Sequence, residues 1–144
     1  MRHILLAIGF VLGLAGCAAP ASPSVAAVPA ENASVAGTRW MAPEGNDNTR
    51  PRLEFVGENR VSGYTGCNML SGSWREEGGV VRFGLIAITK RGCMGPEGEV
   101  EKRVLAALAG DSTARRVGNR LTVTSPSGAT FEFVSTPPPA SGAR

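Results

Sequence analysis

Val61-Ser62-Gly63-Tyr64-Thr65-Gly66-Cys67-Asn68-Met69-Leu70-Ser71-Gly72-Ser73-Trp74 is the stretch on which the reading of this chain turns. Three glycines, Gly63, Gly66 and Gly72, stand in and around segments that otherwise look like strands. Glycine there marks a bulge, a positive φ or a close approach of backbones, all of which a strongly curved sheet requires. Asn68 follows Cys67 at the bend, where its side chain can satisfy backbone groups as a turn former; a binding role is the alternative. Trp74 and the earlier Trp40 read as core or rim residues, because a small β domain needs large apolar side chains to fill its interior.

Outward from this block the periodicity is mostly two, the pattern of half-buried antiparallel strands. Leu53 and Phe55 alternate with Arg52 and Glu54, and Glu58-Asn59 turns the chain into Arg60–Tyr64. Glu76-Glu77-Gly78-Gly79 is a turn cluster, after which Val81, Phe83 and Leu85 are expected on one face. Leu121 and Val123, then Phe131 and Phe133, repeat the alternation around the turn Ser125-Pro126-Ser127-Gly128. Such runs are hairpins joined by short polar turns. Arg115-Arg116 reads as a charged strand edge that discourages sheet-to-sheet pairing.

One segment breaks the period. Pro96 suits a first helical position, and Glu97, Glu99 and Glu101 complement the positive end of a helix dipole. Val100, Val104, Ala107 and Leu108 fall on one face, and Gly110-Asp111 ends the helix after about thirteen residues. Glu99 and Arg103 are spaced to pair. Gly98, early in this helix, costs about 1 kcal/mol relative to Ala. The expected fold is α+β, mostly β: an antiparallel curved sheet or cracked β-barrel with one packed α-helix covering its open side.

The chain has 144 residues, 42% hydrophobic and 19% charged, with a formal charge of +3. That length argues for one folded domain. Met1-Arg2-His3 and the apolar run Ile4–Leu14 read as an export signal, too short for a membrane span. Leu14-Ala15-Gly16-Cys17 resembles the bacterial lipobox. The resemblance implies cleavage before Cys17, a diacylglycerol on its sulfur and an acyl group such as palmitate on the new amine. Several acyl chains make attachment effectively permanent. Ala18 stands where an aspartate would retain a lipoprotein in the inner membrane, so the expected location is the periplasmic face of the outer membrane. Residues 17–36 form the lipidated N-terminus and an Ala/Pro/Ser-rich tether, 37–135 the folded domain, and 136–144 a Pro-rich tail.

Loss of residues 1–16 removes His3, the single histidine, and with it Ser-His-Asp, Cys-His and histidine-metal chemistry. Fourteen basic against twelve acidic side chains then remain, too slight an excess to imply nucleic acid. Cys67 and Cys93 are the two remaining thiols, and in an oxidising compartment an even pair reads as a disulfide. A soft-metal site using Met69 and Met94 is the alternative. Glu54, Glu58, Asp111 and Glu132 are the carboxylates a hydrolase would draw on, but they sit in turns or on solvent faces. No catalytic residue, cofactor or metal is expected.

The block quoted above also resembles the META domain family, which includes the HslJ-type heat-shock-associated bacterial lipoproteins. The matching positions are Gly63, Gly66-Cys67-Asn68, Leu70, Gly72 and Trp74. Thr38 and Trp40, Thr89 with Cys93, and Glu101 with Val104, Leu105 and Leu108 extend the match. The resemblance implies a small β domain with one helix, similar to the cracked barrels of lipidated pilot proteins. It also implies a non-enzymatic part in envelope stress tolerance or binding, with a lipid- or helix-binding carrier as the alternative. Beyond the membrane reached through the lipid anchor, no protein partner or small apolar ligand is identified.

Overall fold

The computed structural model describes residues 34–136. The signal segment, Cys17, most of the tether and the tail from Pro137 lie outside the described residues. Eight strands run in order: β1 (Arg39–Met41), β2 (Arg52–Val56), β3 (Arg60–Tyr64), β4 (Met69–Glu77), β5 (Val80–Ile88), β6 (Thr113–Val117), β7 (Arg120–Thr124) and β8 (Thr130–Thr136). The helix α1 (Pro96–Ala107) is inserted between β5 and β6. Every strand pairs antiparallel with its sequence neighbour, and β1 pairs with β8, so the curved sheet closes into a barrel.

Alternation sorts the side chains. Trp40, Leu53, Phe55, Val61, Phe83, Leu121, Val123 and Phe133 point inward and are buried. Phe55 meets Trp74 edge-on, with ring centroids 5.1 Å apart, and Phe83 at 6.1 Å. The indole N–H of Trp40 donates to the Thr38 hydroxyl, and that of Trp74 to the Arg60 carbonyl, so neither buried ring carries an orphaned donor. The interior is a packed core of aromatic and branched residues.

Glycine makes the curvature possible at defined points. A Cβ on Gly63 would lie 2.2 Å from the Arg52 carbonyl oxygen, and one on Gly72 would lie 2.6 Å from the Leu85 carbonyl oxygen. Between Gly72 and Trp74 the register shifts: Gly72 faces Ile86 while Trp74 faces Phe83, so Gly84 and Leu85 together oppose Ser73. This bulge overturns the expectation for Leu85. Past it the inward phase passes to Ile86 and Ile88, and Leu85 is turned outward, 88% exposed.

Two smaller expectations are also corrected. Glu99 pairs with Lys102 at 2.7 Å, one residue before Arg103, whose guanidinium instead lies over the Phe131 ring. Arg115 is not at an edge, because β6 is paired there with both β5 and β7, whereas Arg116 lies just past the β5 pairing and faces Leu121 of β7 alone. Arg116 lies over Trp40 and donates to the Ser34 and Gly118 carbonyls.

The two ends of the barrel are closed differently. At one, Val35 is fully buried beside the turns, held by Thr38 N–H donating to its carbonyl. At the other lies α1, with Val104, Ala107 and Leu108 buried and Val100 packed against the core. Gly98 in its first turns is explained by contact: a Cβ there would sit 2.5 Å from the Cys93 carbonyl oxygen. Among the described residues no helix is long and apolar enough to cross a membrane.

Candidate functional site

Of the residues singled out by motif, Gly66, Cys67, Asn68, Thr89, Cys93 and Glu101 converge at the helix end of the barrel, whereas Gly63 and Gly72 lie along β3 and β4 and Trp74 lies beside the β2–β3 turn, its main-chain N–H donating to the Asn59 carbonyl. β3 passes to β4 through Thr65-Gly66-Cys67-Asn68, a tight connection closed by Thr65 N–H donating to the Asn68 carbonyl at 2.8 Å. Gly66 adopts φ +106°, open to glycine at little cost, and its missing side chain admits Val100 of α1, 3.2 Å from where a Cβ would stand. Cys67 and Cys93 are joined, with Cα atoms 6.1 Å apart, so the loop entering α1 is tied to the β3–β4 connection.

Asn68 is the centre of this arrangement, 2% exposed. Its Nδ2 donates to the Arg91 carbonyl at 3.0 Å and to the Glu101 carboxylate at 3.1 Å. Its Oδ1 accepts from Arg91 N–H at 2.7 Å and from the Thr89 hydroxyl at 2.8 Å. An amide side chain has two donors and two acceptor positions, and all four are used. The backbone N–H of Asn68 donates to Thr65 Oγ1 at 2.8 Å and approaches Glu101 at 3.0 Å, while the Thr65 hydroxyl donates to the same carboxylate. Glu101 thus reaches from the helix into the strand connection and collects three donors. Thr89 accepts in turn from Met69 N–H.

This cluster clamps the helix to the strand connection. Its polar groups face one another, and Thr65 and Asn68 are sealed from solvent. The reading of Asn68 as a former of its own turn is corrected: the turn is closed by the main chain and the Thr65 hydroxyl, and the Asn68 side chain bonds instead the 89–91 segment and Glu101. Sequence reading missed Thr65 and the main chain of Arg91 as its partners, since backbone partners leave no residue-type signal. Cys67 and Cys93 are bonded to one another, and Met69 and Met94 are exposed at 50% and 92%, turned to solvent rather than gathered with the sulfurs.

The carboxylates considered for hydrolysis are dispersed. Glu54 pairs with Arg39 at 2.9 Å and Glu132 with Arg120 at 2.7 Å, and Glu58 and Asp111 are exposed. Glu54, Asp111 and Glu132 line three different surface grooves. Among the described residues no three His, Cys, Asp or Glu side chains are grouped to hold a metal. A hydrogen bond and charge attraction from Arg75, and attraction from Arg82, hold the exposed Glu77 carboxyl below its ordinary value.

The grooves are external. One of about 520 Å³ runs between the 42–51 loop, α1 and β8, with Phe131 and Val100 in its floor. A second, of about 500 Å³, lies between the end of β5 and the last turns of α1.

A closed antiparallel barrel, locked to its single helix by a Gly-Cys-Asn turn and a helix carboxylate, is the class these features define. The META domain family model matches residues 32–138, and the chain belongs to that family. An NMR structure of a protein from Burkholderia xenovorans is similar with a TM-score of 0.58 and 24% identity, covering 84% of this chain and 99% of that one. Another NMR structure reaches a TM-score of 0.56 at 21% identity, covering 68% of this chain and 88% of that one. Both likenesses concern the fold. No curated protein matches the chain.

Proposed function

We propose that this META-domain chain is a lipoprotein, anchored through Cys17 to the periplasmic face of the outer membrane, that supports envelope stress tolerance by binding rather than by catalysis. The observation that carries the non-enzymatic part is the saturation of the motif. Asn68, Thr65, Thr89 and Glu101 spend their hydrogen bonds on each other and on the main chain. A catalytic group must instead be within reach of a substrate. The lipobox Leu14-Ala15-Gly16-Cys17 supports the anchor.

The carrier reading, in which the barrel holds a lipid tail or a partner's helix, is disfavoured by the packed interior of Trp40, Phe55, Trp74, Phe83 and Phe133. Any ligand would meet the outer surface. The test is a deletion strain challenged with heat and hydrophobic drugs, with radiolabelled palmitate fed to cells expressing the chain. Increased sensitivity, restored by the wild-type gene and not by a Cys17→Ser allele, is expected. Failure of the label to incorporate at Cys17 overturns the anchor, and wild-type tolerance across the panel overturns the stress role.

A further inference from the structure

Strand β5 is nine residues long, but β6 covers only its first third: Val80, Val81 and Arg82 pair with β6, and Phe83 N–H donates to the Ser112 carbonyl. Past the bulge at Gly84 and Leu85, Ile86, Ala87 and Ile88 pair with β4 alone. Thr89 N–H donates to Met69 carbonyl, which fixes the phase of that ladder, so Ala87 exchanges bonds with Ser71. The N–H and C=O groups of Ile86 and Ile88 therefore face away from β4. No backbone hydrogen bond joins them to other described residues on that side.

An uncovered strand edge is a template for another strand, and proteins usually blunt such edges with charge, proline or a covering element. Here the residues are Gly84, Leu85, Ile86, Ala87 and Ile88, with Leu85 88% exposed. Beside the edge lies the groove of about 500 Å³, whose far wall is Leu105 of α1 with Leu108 just past its end, and which Asp111 also lines. We infer that this edge is a docking site for an extended apolar peptide segment of a partner protein, which adds a strand beside β5 with alternate side chains seated between Ile86, Ile88, Leu105 and Leu108. The inference goes beyond the stress reading and rests on the edge alone.

Charge selects the occupant. Lys90 and Arg91, at the Ile88 end, are exposed and make no ion pair with the described residues. A strand added antiparallel enters at that end, so acidic residues just before its apolar stretch would meet both cations. A second copy adding its own β5 antiparallel would bring Lys90 and Arg91 of each chain toward Arg82 of the other, already paired with Glu77, and toward the single carboxylate of Asp111, a poorer match for two cations than two acidic residues. An acidic-then-apolar segment of another protein fits the edge better.

The test uses the full chain purified in detergent and a fluorescent peptide of sequence Glu-Asp-Val-Thr-Val-Ile-Val, read by anisotropy and by amide hydrogen exchange. Binding that slows exchange at Ile86 and Ile88 is expected. N-methylating alternate peptide amides on the edge-facing side should abolish it. The charge reversal Lys90→Glu with Arg91→Glu should weaken binding about tenfold or more and favour a Lys-Lys version of the peptide. Equal binding of the N-methylated peptide, charge-blind binding, or no binding at millimolar peptide overturns the inference. Protection at Ile86 and Ile88 that rises with protein concentration without peptide also overturns it, in favour of a second copy.

Discussion

The two ends of this barrel are sealed by different physics. At the helix end the seal is polar and covalent: Asn68 with all four side-chain hydrogen-bonding positions filled, Glu101 reaching in from α1, and the Cys67–Cys93 bond beside them. At the opposite end the seal is an apolar plug, Val35 set against the core beside Trp40. A polar seal fixes one geometry because each group has a directional partner. An apolar plug only needs volume to be filled, so it tolerates change more gradually.

That contrast can be broken open by measurement. Replacing both Cys67 and Cys93 with Ala should lower stability by roughly 3.5 kcal/mol, since the bond closes a loop across a separation of 26 residues. Denaturant unfolding of the full chain reads this, and a loss under 1 kcal/mol would mean the polar clamp alone fixes that end. Asn68→Ala should cost about 3 kcal/mol by stranding the Arg91 main chain and part of the Glu101 carboxylate. Combined with the cysteine pair, its loss should fall short of the sum, because the two features share the segment 67–93. Strict additivity would show that they act independently.

Val35→Ala should cost about 2 kcal/mol from lost burial and a partly collapsed cavity, and it should add fully to Asn68→Ala across the length of the barrel. Strong coupling between the two would contradict the separation of the ends. The smallest effect concerns Glu77, at the β4–β5 turn. Its carboxyl titrates below the ordinary value, so the stability it contributes is present above the unfolded-state pKa and fades as pH falls through the folded one. Wild type should therefore exceed Glu77→Gln slightly at neutral pH, with the gap closing in acid. A gap that widens in acid would reverse the sign.

Much of this architecture could be read from residue order. Alternation placed Leu53, Phe55, Val81, Phe83, Leu121, Val123 and Phe133 inside, and Pro96 with its acidic neighbours marked the helix start. Leu85 was misplaced because a bulge reverses strand phase without changing composition. The clue was the run Gly84-Leu85-Ile86, where two large apolar residues become adjacent. Barrel closure was less legible, since β1 to β8 pairing joins segments some ninety residues apart with only three residue pairs. The clamp was half legible: Cys67, Asn68, Thr89, Cys93 and Glu101 stand out by type, whereas the Arg91 carbonyl and N–H belong to the main chain and carry no signature. Gly98 looked like a helix defect and is instead the clearance through which the Cys93 carbonyl passes.

The way Asn68 is held also bears on chemical ageing. An asparagine decays when the nitrogen of the following residue attacks its side-chain carbonyl and closes a five-membered imide, releasing ammonia. Here the Met69 nitrogen is turned to the Thr89 hydroxyl, and the amide it would attack is pinned on every side. The fold thereby keeps a neutral amide where hydrolysis would set a second negative charge against Glu101.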